Sequence, residues 1–150
     1  MTDEQGMKLA LEQAKLAYEQ NEVPVGAIVV LNDKVIGKGF NHREAKLDIS
    51  SHAEIEAMKD AAKSLGSWNL KGCSLYVTVE PCMMCSGAIL QSGISRVVYG
   101  SDDPSIGAVC SRFGAFDDPT FPNRPLVTRG VLEDECKALM EKFFKTLRTK

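Results

Sequence analysis

The sequence has no uninterrupted apolar run of the kind that crosses a membrane or directs secretion; its first twenty residues, MTDEQGMKLALEQAKLAYEQ, introduce acids early. That absence points to a cytoplasmic protein with no membrane partner. No low-complexity, proline-rich or serine-rich stretch and no internal repeat interrupts the chain, so neither a disordered segment nor a flexible linker is expected. With 150 residues and 44% hydrophobic content, the expectation is one domain, residues 1–150, around one core. There is no excess of one charge either: 18 basic against 20 acidic residues give a net charge of −2, which carries no whole-protein signature of nucleic-acid binding. The balance shifts only near the end, where Lys137, Lys142, Lys145, Arg148 and Lys150 face Glu141 alone. Such cations suit the C-terminal dipole of a solvated helix. Five cysteines are an odd number, and a cytosolic chain of this size does not need a disulfide framework.

What is present is a strand-helix alternation. Asp3 can cap a helix whose apolar stripe runs through Met7, Ala10, Leu11, Ala14, Ala17 and Tyr18. EVPVGAIVVL and KVIGKGF read as two strands of a hairpin turning at Asn32 and Asp33, followed by an irregular polar stretch, NHREAKLDIS. Ser50 or Ser51 can cap a second helix with Ile55, Met58, Ala62 and Leu65 on one face and Gly66 as its stop. CSLYVTV is the next strand, a short helix from about Pro81 to Ser92 ends at Gly93, and RVVYG follows as a fourth strand. Residues 101–125 show no clean periodicity and read as a long, functional or partly helical loop. LVTRGV is a short fifth strand, and Cys136, Leu139, Met140, Phe143, Phe144 and Leu147 mark a final helix. Strands alternating with helices predict an α/β sheet covered on both faces.

The chemistry concentrates in VEPCMMCSGAI. Cys82 and Cys85 alone fit a redox pair, a metal site or two core thiols, but a zinc ribbon would need a second CxxC, and there is none. A third ligand stands in a matching place: SSHAEIEAM puts His52 at the start of one predicted helix, as Cys82 stands at the start of the next. Helix N-termini favour thiolates, and residues at i and i+3 share a helical face, so both sulfurs can reach one ion. Two thiolates and an imidazole leave a tetrahedral Zn²⁺ with an open position, the mark of a catalytic site. Glu54, two residues after His52, is off the histidine's face and suits a proton shuttle beside the metal better than a ligand. Singly these residues are unremarkable. Together, H-x-E followed thirty residues on by P-C-x-x-C is the signature of zinc-dependent deaminases. Cys73, Cys110 and Cys136 have no partner histidine and read as core or strand-end residues.

The chain resembles the cytidine-deaminase-like superfamily and, within it, the bacterial tRNA adenosine deaminases, through EVPVGAIVV, the GFN ending at Asn41, SHAEIEAM, LGSWNLKG, LYVTVEPCMMCSGAI, RVVYG, GVLEDEC and the pair Phe143-Phe144. The resemblance implies a three-layer α/β/α fold with a central five-stranded mixed sheet, a homodimer, one Zn²⁺ per chain, and conversion of the wobble adenosine in a tRNA anticodon loop to inosine. It assigns His52, Cys82 and Cys85 to the metal, Glu54 to proton transfer, Asn41 and the Ala53 backbone to the base, Asp103 to the ribose, and the basic last helix to phosphates. The chain departs from that family at Ile49, where proline is common, at Asp102, where a neutral or basic residue is common, and around Asn123, where an Asn-His pair is expected. The loose fit of residues 101–125 keeps a free-base or nucleoside deaminase (guanine, cytosine or cytidine) as the alternative. A non-catalytic zinc-stabilised RNA-binding module is disfavoured by Glu54.

Overall fold

Side chains alternate across a strand, and here the alternation sorts apolar residues onto two faces. The computed structural model describes residues 1–148, so Lys150 lies outside the described residues. The elements are α1 (Asp3–Glu19), β1 (Gly26–Leu31), β2 (Lys34–Phe40), α2 (Arg43–Lys46), α3 (Ala53–Leu65), β3 (Ser74–Val79), α4 (Met83–Ser92), β4 (Arg96–Ser101), β5 (Leu126–Arg129) and α5 (Glu133–Arg148). They form a five-stranded sheet in the order β2-β1-β3-β4-β5, antiparallel across β2-β1-β3 and parallel across β3-β4-β5. Ala27, Val29, Leu75, Val77, Val97 and Tyr99 point to one face, where α3 and α4 cover them. Ile28, Val30, Tyr76 and Val98 point to the other, against Met7, Ala10 and Leu11 of α1 and Cys136 of α5. The predicted three-layer α/β/α architecture with a mixed five-stranded sheet is therefore present.

Several local details differ from expectation, each for a physical reason. Thr2, not Asp3, caps α1, in a reciprocal capping box with Gln5. Asp3 instead takes a bidentate ion pair from Arg96 at 2.7 Å and a hydrogen bond from Tyr76, fastening α1 to β3 and β4. Within NHREAKLDIS lies the short helix α2. Neither Ser50 nor Ser51 caps α3; its N-cap residue is His52, whose side chain makes no capping bond. α4 begins at Met83 with Cys82 as N-cap, two residues later than Pro81 suggests.

The face that α3 turns inward is also rotated from the predicted stripe. Ala53, Ala57 and Ala61 are buried, and a Cβ at Gly37 or Gly39 of β2 would overlap the α3 backbone at Ala57. Small residues on both sides let helix and strand backbones touch; of the predicted stripe, Met58 stays in the core, Ile55 and Ala62 are half-buried along a groove with Trp68, and Leu65 is exposed. Residues 101–125 contain turns and bends, with no helix among the described residues. No helix anywhere among the described residues is long and apolar enough to cross a membrane.

Candidate active site

In open α/β sheets ligands bind beyond the carboxyl ends of the strands. Here β3 runs into Glu80, Pro81 and Cys82, and β4 runs into Asp102 and Asp103. A cavity of about 430 Å³ opens there, reached by the first turn of α3 and by Cys82, the N-cap of α4, and bordered by α5. His52, Glu54 and Cys82 line it.

His52, Cys82 and Cys85 come together as the sequence predicts: one ligand atom from each lies within 4.8 Å of the others. His52 Nδ1 stands 3.6 Å from Cys82 Sγ and 3.5 Å from Cys85 Sγ. Cys85 is buried and Cys82 half-buried. The chemistry of this donor set fits a divalent cation. The neighbouring Cys85 thiol, with His52 assisting, draws the Cys82 thiol down to about 4 against the opposing effect of burial. The same pairing, together with burial, pushes Cys85 far up. One thiol thus gives up its proton while the other keeps it, and a dication among the three groups would let both bind as thiolates. The hydrogen bond to Cys82 raises His52, with burial acting the other way.

Glu54 sits deep in this site, 3% exposed. Burial raises its carboxyl to about 7, while its own backbone N–H and His52 pull it down. Asn41 is also buried, and its Oδ1 accepts the Ala53 N–H at 2.7 Å. Asn41 and the Ala53 backbone, both expected at the base, are thus hydrogen-bonded to one another. This bond supplies α3 with the cap that the serines do not, and it leaves the Asn41 amide NH₂ as that side chain's donor. The His42 N–H to Ser51 carbonyl bond, 2.9 Å, closes the loop that brings Asn41 beside the helix start.

Asp103 lines the cavity, but its Oδ1 is engaged by the Ser105 N–H and hydroxyl, at 3.0 and 2.7 Å, and by the Ile106 N–H. Asp102, the extra acid, is neutralised locally: it pairs with Arg129 at 2.8 Å and accepts the Tyr99 hydroxyl at 2.9 Å. From the basic C-terminal segment, Lys137 reaches the cavity rim, as does Arg43 from α2, whereas Lys142 lies over the Tyr18 ring. Cys73 and Cys136 are buried as expected, but Cys110 is exposed on the 101–125 segment.

Two buried carboxylates were not anticipated. Glu22 accepts the N–H groups of Glu44 and Ala45 at 3.0 and 2.9 Å, tethering α2. Glu80 gathers the segment after β4. Burial opposes its ionisation, but the N–H groups of Cys110, Ser111 and Asp103 and the Ser111 hydroxyl outweigh it and hold the carboxyl below its ordinary range. Each lies inside a block singled out for other reasons, EVPVG and VEPC, yet nothing local shows that the acid turns inward.

A half-buried histidine and two thiols at paired helix starts, beside a buried glutamate on a mixed α/β/α sheet, define the class of cytidine-deaminase-like enzymes. The chain belongs to the MafB19-like deaminase family, whose profile matches residues 1–148. It is 41% identical over 148 residues to the tRNA-specific adenosine deaminase of Bacillus subtilis, covering 99% of this chain and 92% of that one. It is 44% identical over 147 residues to the enzyme of the same name from Haemophilus influenzae, covering 97% and 85%. A solved structure from work on A-to-I editing by tRNA:A34 deaminases at the wobble position superposes with a TM-score of 0.87 at 41% identity, covering 90% of this chain and 98% of that one.

Proposed function

We propose that the protein hydrolytically deaminates the wobble adenosine of a tRNA anticodon to inosine, in the cytoplasm. The observation that carries the chemistry is the meeting of His52, Glu54 and Cys82 at one cavity from two helix starts, with Cys85 buried against His52 and Cys82. Near-full-length identity to tRNA-specific adenosine deaminases supports the substrate.

His52 Nδ1 and the Cys82 and Cys85 thiolates would hold one Zn²⁺ per chain. When bound, the ion supplies Lewis-acid activation of water near neutral pH. Glu54, adjacent to the ligand set and off it, takes a proton from the attacking water and passes it to purine N1. The water oxygen bonds to C6; Glu54 then takes the remaining proton from that oxygen as C6=O forms and the C6–N6 bond breaks, and delivers it to the nitrogen that leaves as ammonia. Burial of Glu54 keeps that proton from exchanging with bulk water. The Asn41 NH₂ donates to an acceptor on the purine in this reading, an orientation supported by the Ala53 N–H bond to its Oδ1. Asp103 holds the turn that faces the ribose. The base must be splayed out of its loop to reach this depth, which costs less in an anticodon loop than in a duplex.

Arg43 and Lys137 at the rim give an RNA substrate two phosphate contacts. The expected kcat/KM on tRNA therefore falls about tenfold between roughly 50 and 200 mM salt. Steady-state rates across that range check this; a salt-independent rate would fit a small neutral substrate and contradict the RNA assignment.

The functional unit in this reading is a homodimer. Trp68, 74% exposed, and the Ile55-Met58-Ala62 stripe flank an apolar groove of about 690 Å³, and Met83 beside the metal ligands is 55% exposed. A second copy of the chain covers that surface. Sedimentation velocity at micromolar concentration should give a dimer, and a strictly monomeric species would remove this part of the proposal.

A further inference from the structure

Glu80 belongs neither to the ligand set nor to the proton path, yet it is a charged group, 3% exposed, on the wall of the reaction cavity. Its Oε1 accepts the Asp103 N–H at 3.0 Å and the Ser111 hydroxyl. Its Oε2 accepts the N–H groups of Val109, Cys110 and Ser111 at 3.1, 2.8 and 2.9 Å. The carbonyl of Pro81 accepts the Ala108 N–H at 2.9 Å. Residues 103–111 form no helix or strand, so these bonds are their principal fastening to the sheet. All converge on the dipeptide that immediately precedes Cys82. Gly107 completes the fit, since a Cβ there would overlap the Glu80 carboxylate.

We propose that Glu80 is a positioning residue for substrate: it fixes the 103–111 segment, one wall of the cavity, in register with Cys82 and the metal site. The inference rests on the deaminase reading of that cavity. Only a carboxylate does this. Five donors approach two oxygens, and a carboxylate presents lone pairs from both. A glutamine of the same shape presents one acceptor and one NH₂. Whichever way that amide turns, either the Asp103 N–H or the three N–H groups of residues 109–111 meet another donor, since of the five partners the Ser111 hydroxyl alone can turn to accept. Asp103, Ser105 and Ile106 on that wall would then lose their fixed distance from His52 and Cys82.

The test compares zinc-loaded wild-type protein with Glu80→Gln and the milder Ser111→Ala, which removes one donor and keeps the carboxylate. The expected result for Glu80→Gln is a KM for tRNA raised at least about tenfold, with a smaller fall in kcat and one metal ion per chain retained. For Ser111→Ala a rise of about threefold in the same direction is expected, the scale of one lost hydrogen bond. Amide exchange followed by NMR should show residues 103–111 exchanging at least about tenfold faster in Glu80→Gln, with α3 and α4 unchanged. An unaltered KM with kcat reduced only in proportion to the folded fraction, or unaltered protection of 103–111, would overturn the proposal. Should the wild type turn over only a free base, the RNA substrate falls, while the KM for that base and the exchange pattern still decide the role of Glu80.

Discussion

Replacing Glu54 by alanine should leave one metal ion per chain and the native fold in place while lowering turnover by about four orders of magnitude, the upper end of what positioned acid-base groups supply. The size follows from Glu54 handling both protons in the reaction: the one it moves from water to N1 and the one it moves from the C6 oxygen to the departing ammonia. Among the residues lining the cavity it is the buried carboxylate adjacent to His52 and Cys82 without belonging to the ligand cluster. Stability should not fall with activity. Burial raises the Glu54 carboxyl to about 7, so the fold tolerates this ionisable group at a cost rather than gaining from it. Glu54→Gln, which keeps the volume, should melt no lower than wild type. Metal analysis, thermal melts and single-turnover rates check the three parts together. Loss of metal in Glu54→Ala would make Glu54 a ligand and remove the proton-shuttle mechanism.

Cys85→Ser should lose both metal and turnover, with metal content below about a tenth of an ion per chain and activity at background. Cys85 is fully buried against His52 Nδ1, and a serine hydroxyl there does not ionise near neutral pH to replace a thiolate. Because metal affinity adds to folding stability, the variant should also melt several degrees lower, and a strong chelator should shift the wild type the same way. Cys110→Ser is the matched control: its thiol is exposed and outside the cluster, so metal content should be unchanged. Metal analysis reads both. Full occupancy in Cys85→Ser would place the ion elsewhere.

Much of this was legible in the sequence because it depends on neighbours along the chain. Asn32 and Asp33 take the positive φ values, 50° and 61°, that a tight hairpin requires. Gly66 and Gly93 end α3 and α4 in the left-handed conformation, as a helix stop demands. The i, i+3 spacing of Cys82 and Cys85 places both sulfurs at one helix start, and His52 begins the other helix, so the cluster could be assembled on paper.

What escaped depends on groups distant in sequence. The cap of α3 comes from Asn41, twelve residues before Ala53, so the local serines were the wrong place to look. Periodicity alone could not orient α3, because the glycines of β2 draw the alanine face inward, keeping Met58 in the core but leaving Ile55 and Ala62 along the groove and Leu65 exposed. Glu22 and Glu80 look like ordinary surface acids until the N–H groups of α2 and of residues 103–111 fold over them. Asp102 reads as an obstacle to RNA until Arg129 is seen beside it.

The most direct measurement is mass-spectrometric mapping of an unmodified tRNA bearing adenosine at the wobble position, after incubation with zinc-loaded wild-type protein and with Glu54→Ala. The account predicts inosine at that one position with wild type and none with the variant. Ammonia released from a free base or nucleoside, with the tRNA adenosine left intact, would contradict it.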